Sequence, residues 1–277
     1  MIDLHTHSTY SDGTLAPDEL IRLAECKNIK MLALTDHDTV NGIDNFLSVD
    51  TDIIKIPGVE ISIDYNPGTF HLVGLLINHK NEKLRNTLDK LIEYRKERNK
   101  ELLKLIEKHF NLKVDEKELK SNTDGELGRP HIAKFLVDKG VVKTTQEAFD
   151  KYLGKGCPLY IAKKRLKIDE AIEIIHSANG IAIIAHPISL NLNNNEYEPF
   201  LKKLKDIGLD GIEVFCSLHT EDDAKLFLEI AKKYNFLISA GSDFHGINKF
   251  GIDIGFTGCH KDIENFIYDN FITLLSK

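Results

Sequence analysis

IDLHTHSTYSDG, residues 2–13, opens with a short apolar segment and then sets down two histidines and an aspartate in quick succession. Read as a short buried strand from Ile2 to His5, it alternates its side chains, so His5 and His7 fall on the same side of an extended segment. Two imidazoles on one side can clamp one cation. Outward from this stretch, apolar β-prone runs recur: MLALT (31–35), IIKIPGVEIS (53–62), FHLVGLLI (70–77), IAIIAH (181–186), GIEVF (211–215) and FLISAGSD (236–243). Together they make seven candidate strands. Helical patterns lie between several of them: PDELIRLAECKN, with Pro17 suited to a first helical turn, IDEAIEIIHSAN, ended by Gly180, and EDDAKLFLEIAKKYN. Strands alternating with helices predict a parallel sheet, and this many units predicts a closed or nearly closed α/β barrel.

One segment breaks the alternation. From about Asn81 to Phe110, the apolar residues Leu84, Leu88, Leu91, Ile92, Leu102 and Ile106 follow a helical period. Further helical stretches are expected around 131–139 and 145–153, with no strand between them. Residues 79–165 therefore read as a helical insertion, flanked by barrel segments 1–78 and 166–277. Between 80 and 108 the insertion carries ten Lys or Arg against six Asp or Glu, and KKRLK follows at 163–167, a pattern that a solvated helix face explains.

With 277 residues, 42% hydrophobic and 29% charged, the chain can bury a substantial core as one large α/β domain or two smaller ones. No basic leader followed by an apolar run opens it, and no apolar stretch is long enough for a membrane span, so a cytoplasmic protein without membrane contact is expected. Cys26, Cys157, Cys216 and Cys259 are scattered with no Cys-x-x-Cys pair, which argues against a zinc ribbon or a disulfide framework. A formal net charge of −7 disfavours stable binding of double-stranded DNA, while carboxylates gathered around metals would inflate that count.

Polar residues fall where the strands end. TDHD supplies Asp36 and His37 after the second strand, GVEIS supplies Glu60 in the third, and His71 stands near the start of the fourth. AHP supplies His186 after the fifth, and GSDFH supplies Asp243 and His245 after the seventh. In parallel α/β barrels the C-terminal strand ends converge on one face, where active sites assemble. Singly, each such residue is explained as a surface hydrogen bonder or a cap. Leaving Asp36 aside, they form with His5, His7 and Asp12 a set of nine that predicts a metal centre. Imidazoles with carboxylates and no thiolates suit Zn, Mn or Fe better than Mg or Ca. Nine ligands exceed what one metal takes, so two or three divalent ions sharing a bridging carboxylate are expected, the usual apparatus for hydrolysing phosphate esters.

DLHTHSTYSDG, LTDHD, PGVEIS, HLVG, GRPHIA, AHP and SDFHG, in this order and across nearly the whole chain, resemble the polymerase and histidinol phosphatase (PHP) superfamily. Within it the chain is most similar to the ribonuclease AM and 3′,5′-nucleoside bisphosphate phosphatase group, because the insertion carrying GRPHIA sits between the fourth and fifth strands. The resemblance implies a distorted (β/α)7 TIM-like barrel with a helical insertion domain and a trinuclear metal centre. It implies that His5, His7, Glu60 and Asp243 hold one metal, that Asp12, His37 and His245 hold a second, and that Glu60, bridging, holds a third with His71 and His186.

Other residues carry open readings. Asp36 orients an imidazole or accepts a proton, or else caps the following turn. Arg129 and His131 offer a planar fork and a second donor for a substrate phosphate, chiefly on the family pattern; otherwise Arg129 pairs within the insertion and His131 fills a first helical turn. Glu213 and His219 flank the sixth strand's end and line the pocket or serve the structure. The expected activity is hydrolysis of 3′,5′-nucleoside bisphosphates or nucleoside monophosphates, or 5′-to-3′ trimming of short single-stranded RNA, by attack of a metal-bound hydroxide on phosphorus. Histidinol-phosphate phosphatase is the alternative within the superfamily, and a metal-free, polymerase-associated module is an alternative of another class. An amidohydrolase is disfavoured because no lysine stands at a strand end.

Overall fold

The computed structural model describes residues 1–114, 129–162 and 164–276. Seven strands form one sheet in sequence order: β1 (Ile2–Asp3), β2 (Met31–Leu34), β3 (Ile54–Ile63), β4 (Phe70–Leu75), β5 (Ile181–Ile184), β6 (Gly211–Cys216) and β7 (Leu237–Gly241). Each expected run contributes one of them. The sheet curls until its edges meet. Leu4 N–H donates to Ala240 O at 3.0 Å, Asp243 N–H to His5 O at 2.9 Å and His7 N–H to Phe244 O at 3.0 Å, which makes a nearly closed barrel.

The expectation of an all-parallel sheet is corrected at one strand. β4 runs antiparallel to both β3 and β5, while the other neighbouring pairs are parallel. The reason is the short connection 64–69, which has no room for a crossover helix and turns β3 straight back as a hairpin. This reversal has a use. The start of β4 lies at the same barrel end as the C-terminal ends of its neighbours, and Ser62 of β3 pairs with His71 of β4.

The helices α1 (Pro17–Cys26), α2 (Ile43–Ser48), α3 (Glu82–Phe110), α4 (Arg129–Asp138), α5 (Thr145–Ala148), α6 (Ile168–Ser177), α7 (Asn194–Asp206), α8 (Glu221–Lys233) and α9 (Lys261–Leu275) complete the described chain, with a π-helical turn over Phe149–Leu153. Amphipathic spacing explains those around the barrel: α1 buries Leu20, Ile21 and Ala24, and α8 buries Phe227, Ile230 and Ala231. The chain divides into two compact units, 1–88 with 165–277, and 89–164. The second has its own core of Leu102, Ile106, Ile132, Leu136, Ala148 and Leu153. No described helix is long and apolar enough to cross a membrane.

Candidate metal centre

Glu60, on β3, is fully buried and surrounded by imidazoles. Its Oε2 lies 3.3 Å from His5 Nε2, 3.2 Å from His7 Nε2 and 2.9 Å from His37 Nδ1. Its Oε1 lies 2.8 Å from His71 Nδ1 and 3.1 Å from His186 Nε2. Five imidazoles from four segments of the barrel end thus meet one carboxylate. Asp243 stands beside them, with Oδ1 at 3.7 Å from His5 Nε2 and 3.4 Å from His7 Nε2. Asp12 completes the outer side, 3.3 Å from His245 Nε2 and 3.7 Å from His37 Nε2. All nine residues expected at the strand ends come together.

Their donor atoms converge in three overlapping groups: His5, His7, Glu60 and Asp243; His7, Asp12, His37 and His245; and His37, Glu60 and His71. Within each group they lie within 4.8 Å of one another. His7, His37 and Glu60 each belong to two groups. His186 stands outside all three, touching Glu60 directly while its ring lies 5.3 Å from that of His71.

Whether these residues fit metals is tested by what they leave unsatisfied. His5 Nε2, His7 Nε2, His37 Nδ1, His71 Nδ1 and Glu60 Oε2 are buried and lack an aligned hydrogen-bond partner. Several are at contact distance, but their directions miss one another, as expected of lone pairs aimed at a common point between them. Buried polar atoms are normally paired, so this cluster is costly as it stands and fits divalent cations. Nitrogen and carboxylate donors with no thiolate match Zn, Mn or Fe.

The ionisation pattern has the same origin. Burial pushes the Glu60 and Asp243 carboxyls up, yet the surrounding imidazoles override it and hold both well below the usual carboxylate range. Burial likewise opposes charge on His5, His7 and His37, but their carboxylate neighbours raise all three. At His71 burial wins and lowers it to about 4.

Around this cluster, aspartates fasten the loops. Asp36 accepts from Ser8 N–H at 2.8 Å, Ser8 Oγ at 2.6 Å and Ser11 Oγ at 2.6 Å. With both oxygens engaged by Ser8 and Ser11, Asp36 fixes the loop that carries His7 and Asp12. Asp3 grips the other side of the seam, taking Ser242 N–H at 2.8 Å, Ser242 Oγ at 2.6 Å and Gly255 N–H at 2.7 Å. Burial raises it to about 6. Asp38 repeats the device, accepting the N–H and hydroxyl of Ser62. Backbone strain gathers here too: His186 has φ 28°, Asp38 φ 54° and Asp243 φ 58°, values that ordinary side chains disfavour.

Two charged residues add to the sequence reading. Glu213, left open between pocket and structure, is buried with its Oε1 2.9 Å from His5 Nδ1. Lys249 had no signal, since it follows the last motif in a polar loop; its ammonium contacts Asp243 Oδ2. His219 donates from Nδ1 to Val214 O at 2.8 Å. In the insertion, His131 lies half-buried on α4, and the side chain of Arg129 lies outside the described residues.

The chain belongs to the PHP domain family, whose pattern matches residues 3–183. It is 37% identical to a 5′-3′ exoribonuclease of Haemophilus influenzae over 88% of this chain and 89% of that one. It is 34% identical to a 3′,5′-nucleoside bisphosphate phosphatase of Chromobacterium violaceum, over 92% and 91%. Among solved structures, a protein from Bifidobacterium adolescentis assigned as a metal-dependent phosphoesterase superposes with a TM-score of 0.80 at 25% identity, covering 96% of this chain and 94% of that one.

Proposed function

We propose that the protein is a metal-dependent phosphoesterase that removes phosphate from 3′,5′-nucleoside bisphosphates or nucleoside monophosphates, or trims short 5′-phosphorylated RNA stepwise. The observation that carries this is Glu60 ringed by five imidazoles, with unsatisfied donor atoms turned toward shared points. Membership of the PHP family supports it, as do the two relatives acting on nucleotides and RNA.

In this reading His5, His7, Glu60 and Asp243 hold one ion; Asp12, His37 and His245 a second; and Glu60, His71 and His186 a third. Mn, Zn and Fe are the candidates. Such ions, when bound, neutralise charge on the phosphoryl oxygens and make water a competent nucleophile near neutral pH. The chain does the rest. Asp36 and Asp3 hold the two ligand loops against movement, which keeps the donors preorganised. Lys249, anchored on Asp243 Oδ2 and partly exposed, has N–H groups left for a phosphoryl oxygen. Arg129 and His131 of the insertion are read as phosphate-binding residues for the substrate. Cytoplasmic residence fits the four unpaired cysteines.

The test is release of phosphate or nucleotide by the Mn-loaded protein from adenosine 3′,5′-bisphosphate, AMP, histidinol phosphate and a short 5′-phosphorylated RNA. Turnover of the bisphosphate or progressive shortening of the RNA is expected, with Arg129→Ala raising KM. Turnover of histidinol phosphate alone would replace the nucleotide reading.

A further inference from the structure

We propose that Glu213 is a positioning residue that fixes the tautomer of His5 and the strained backbone of His186 with one carboxylate, holding two parts of the metal centre in register. The inference rests on the metal reading above and adds to it a residue outside the nine ligands.

Glu213 is buried at the end of the barrel, and each of its oxygens has one donor. Oε1 lies 2.9 Å from His5 Nδ1, and Oε2 accepts the backbone N–H of His186 at 2.6 Å. A carboxylate only accepts, so the proton of this first bond sits on His5 Nδ1. His5 Nε2 is thereby left as the coordinating nitrogen, and it faces Glu60 Oε2 at 3.3 Å and Asp243 Oδ1 at 3.7 Å. A nitrogen facing two carboxylate oxygens calls for a cation between them, a proton or a metal ion. The second bond acts on His186, whose φ of 28° is a conformation that a histidine rarely adopts without being held.

The local fold is shaped around this contact. The pairing of β6 with β7 shifts between Glu213 and Phe215, a bulge that re-aims the strand just past the carboxylate. His219 Nδ1 caps the carbonyl of the residue in the bulge, Val214. On the other side β7 passes so near that a Cβ at Gly241 would stand 2.2 Å from His5 Cβ and 2.7 Å from Glu213 Oε1. Only glycine leaves room for the pair.

Two donors converging on two oxygens make glutamine an incisive substitution. Glu213→Gln keeps the shape but has one acceptor: served to His186, it presents N–H to His5 and forces the proton onto Nε2; served to His5, it sets N–H against N–H at His186. The experiment uses the full chain with isotope-labelled histidine, loaded with zinc. Long-range proton–nitrogen spectra locate the His5 proton, and chelator competition gives zinc affinity. We expect the proton on Nδ1 in the parent protein, and about 10- to 100-fold weaker zinc binding in folded Glu213→Gln, the range for removing a partner of a metal-binding histidine. A proton on His5 Nε2 in the parent, or unchanged zinc affinity in the folded variant, overturns the proposal. Should the variant fail to fold, the parent spectrum alone decides. A parent protein that retains no zinc, manganese or iron removes the metal reading and this inference together, whereas normal metal binding with an indifferent Glu213→Gln removes only the latter.

Discussion

The insertion unit buries Leu102, Ile106, Ile132 and Leu136 against one another, whereas the end of the barrel buries His5, His7, Glu60 and Asp243. Both are interiors, but they are held together by opposite means. The first gains from every apolar contact and needs nothing else. The second gathers carboxylates that are tolerable only while something positive stands among them, either protons on the imidazoles or metal ions. Metal binding is therefore expected to matter greatly for one unit and little for the other.

The strongest way to break that contrast is Glu60→Ala. It removes the carboxylate that five imidazoles share, and we expect activity to fall by at least about 10²-fold, the scale of removing one electrostatic group from a preorganised site, together with most of the bound metal. Retained metal measured by elemental analysis would mean that the remaining donors suffice. Next comes pH. His5, His7 and His37 are raised in the folded protein, so their stabilisation is complete below their unfolded value near 6.5 and is lost as pH rises through their folded values. Thermal unfolding of chelator-treated protein should thus weaken toward alkaline pH, and added manganese should abolish the decline. The same Tm with and without metal across that range would contradict the account.

Leu136→Ala sharpens the other side. At a fully buried position it should cost about 2–5 kcal/mol in the insertion while leaving metal content unchanged. A parallel loss of metal would show that the two interiors depend on each other. The smallest effect is expected at the edge of the site: Lys249→Met should raise KM for phosphorylated substrates about 10-fold, the scale of one hydrogen bond to a charged group, with metal retained.

The same contrast explains what was readable from sequence. Seven strands and the helices α3 and α4 were legible because apolar periodicity is a local signal, and the gathering of nine candidate ligands because strand ends are local positions. The direction of β4 was not, since FHLVGLLI reads alike in either direction and only the short link at 64–69 decides it. Asp36 was noticed for its place beside His37, but its partners Ser8 and Ser11 arrive from the first loop. Glu213 and Lys249 depend on contacts with residues 208 and six positions away, and their own surroundings in the chain look ordinary.

The seam where Leu4 meets Ala240 also sets an order of events. His5 precedes Asp243 by 238 residues, so the imidazoles of the first strand end emerge roughly 10–50 s ahead of Asp243 and His245 at ordinary elongation rates. During that interval the growing chain carries His5 and His7 without the barrel that brings the other candidate ligands to them. The candidate ligands of the two chain ends come together only when Asp3 closes on Ser242.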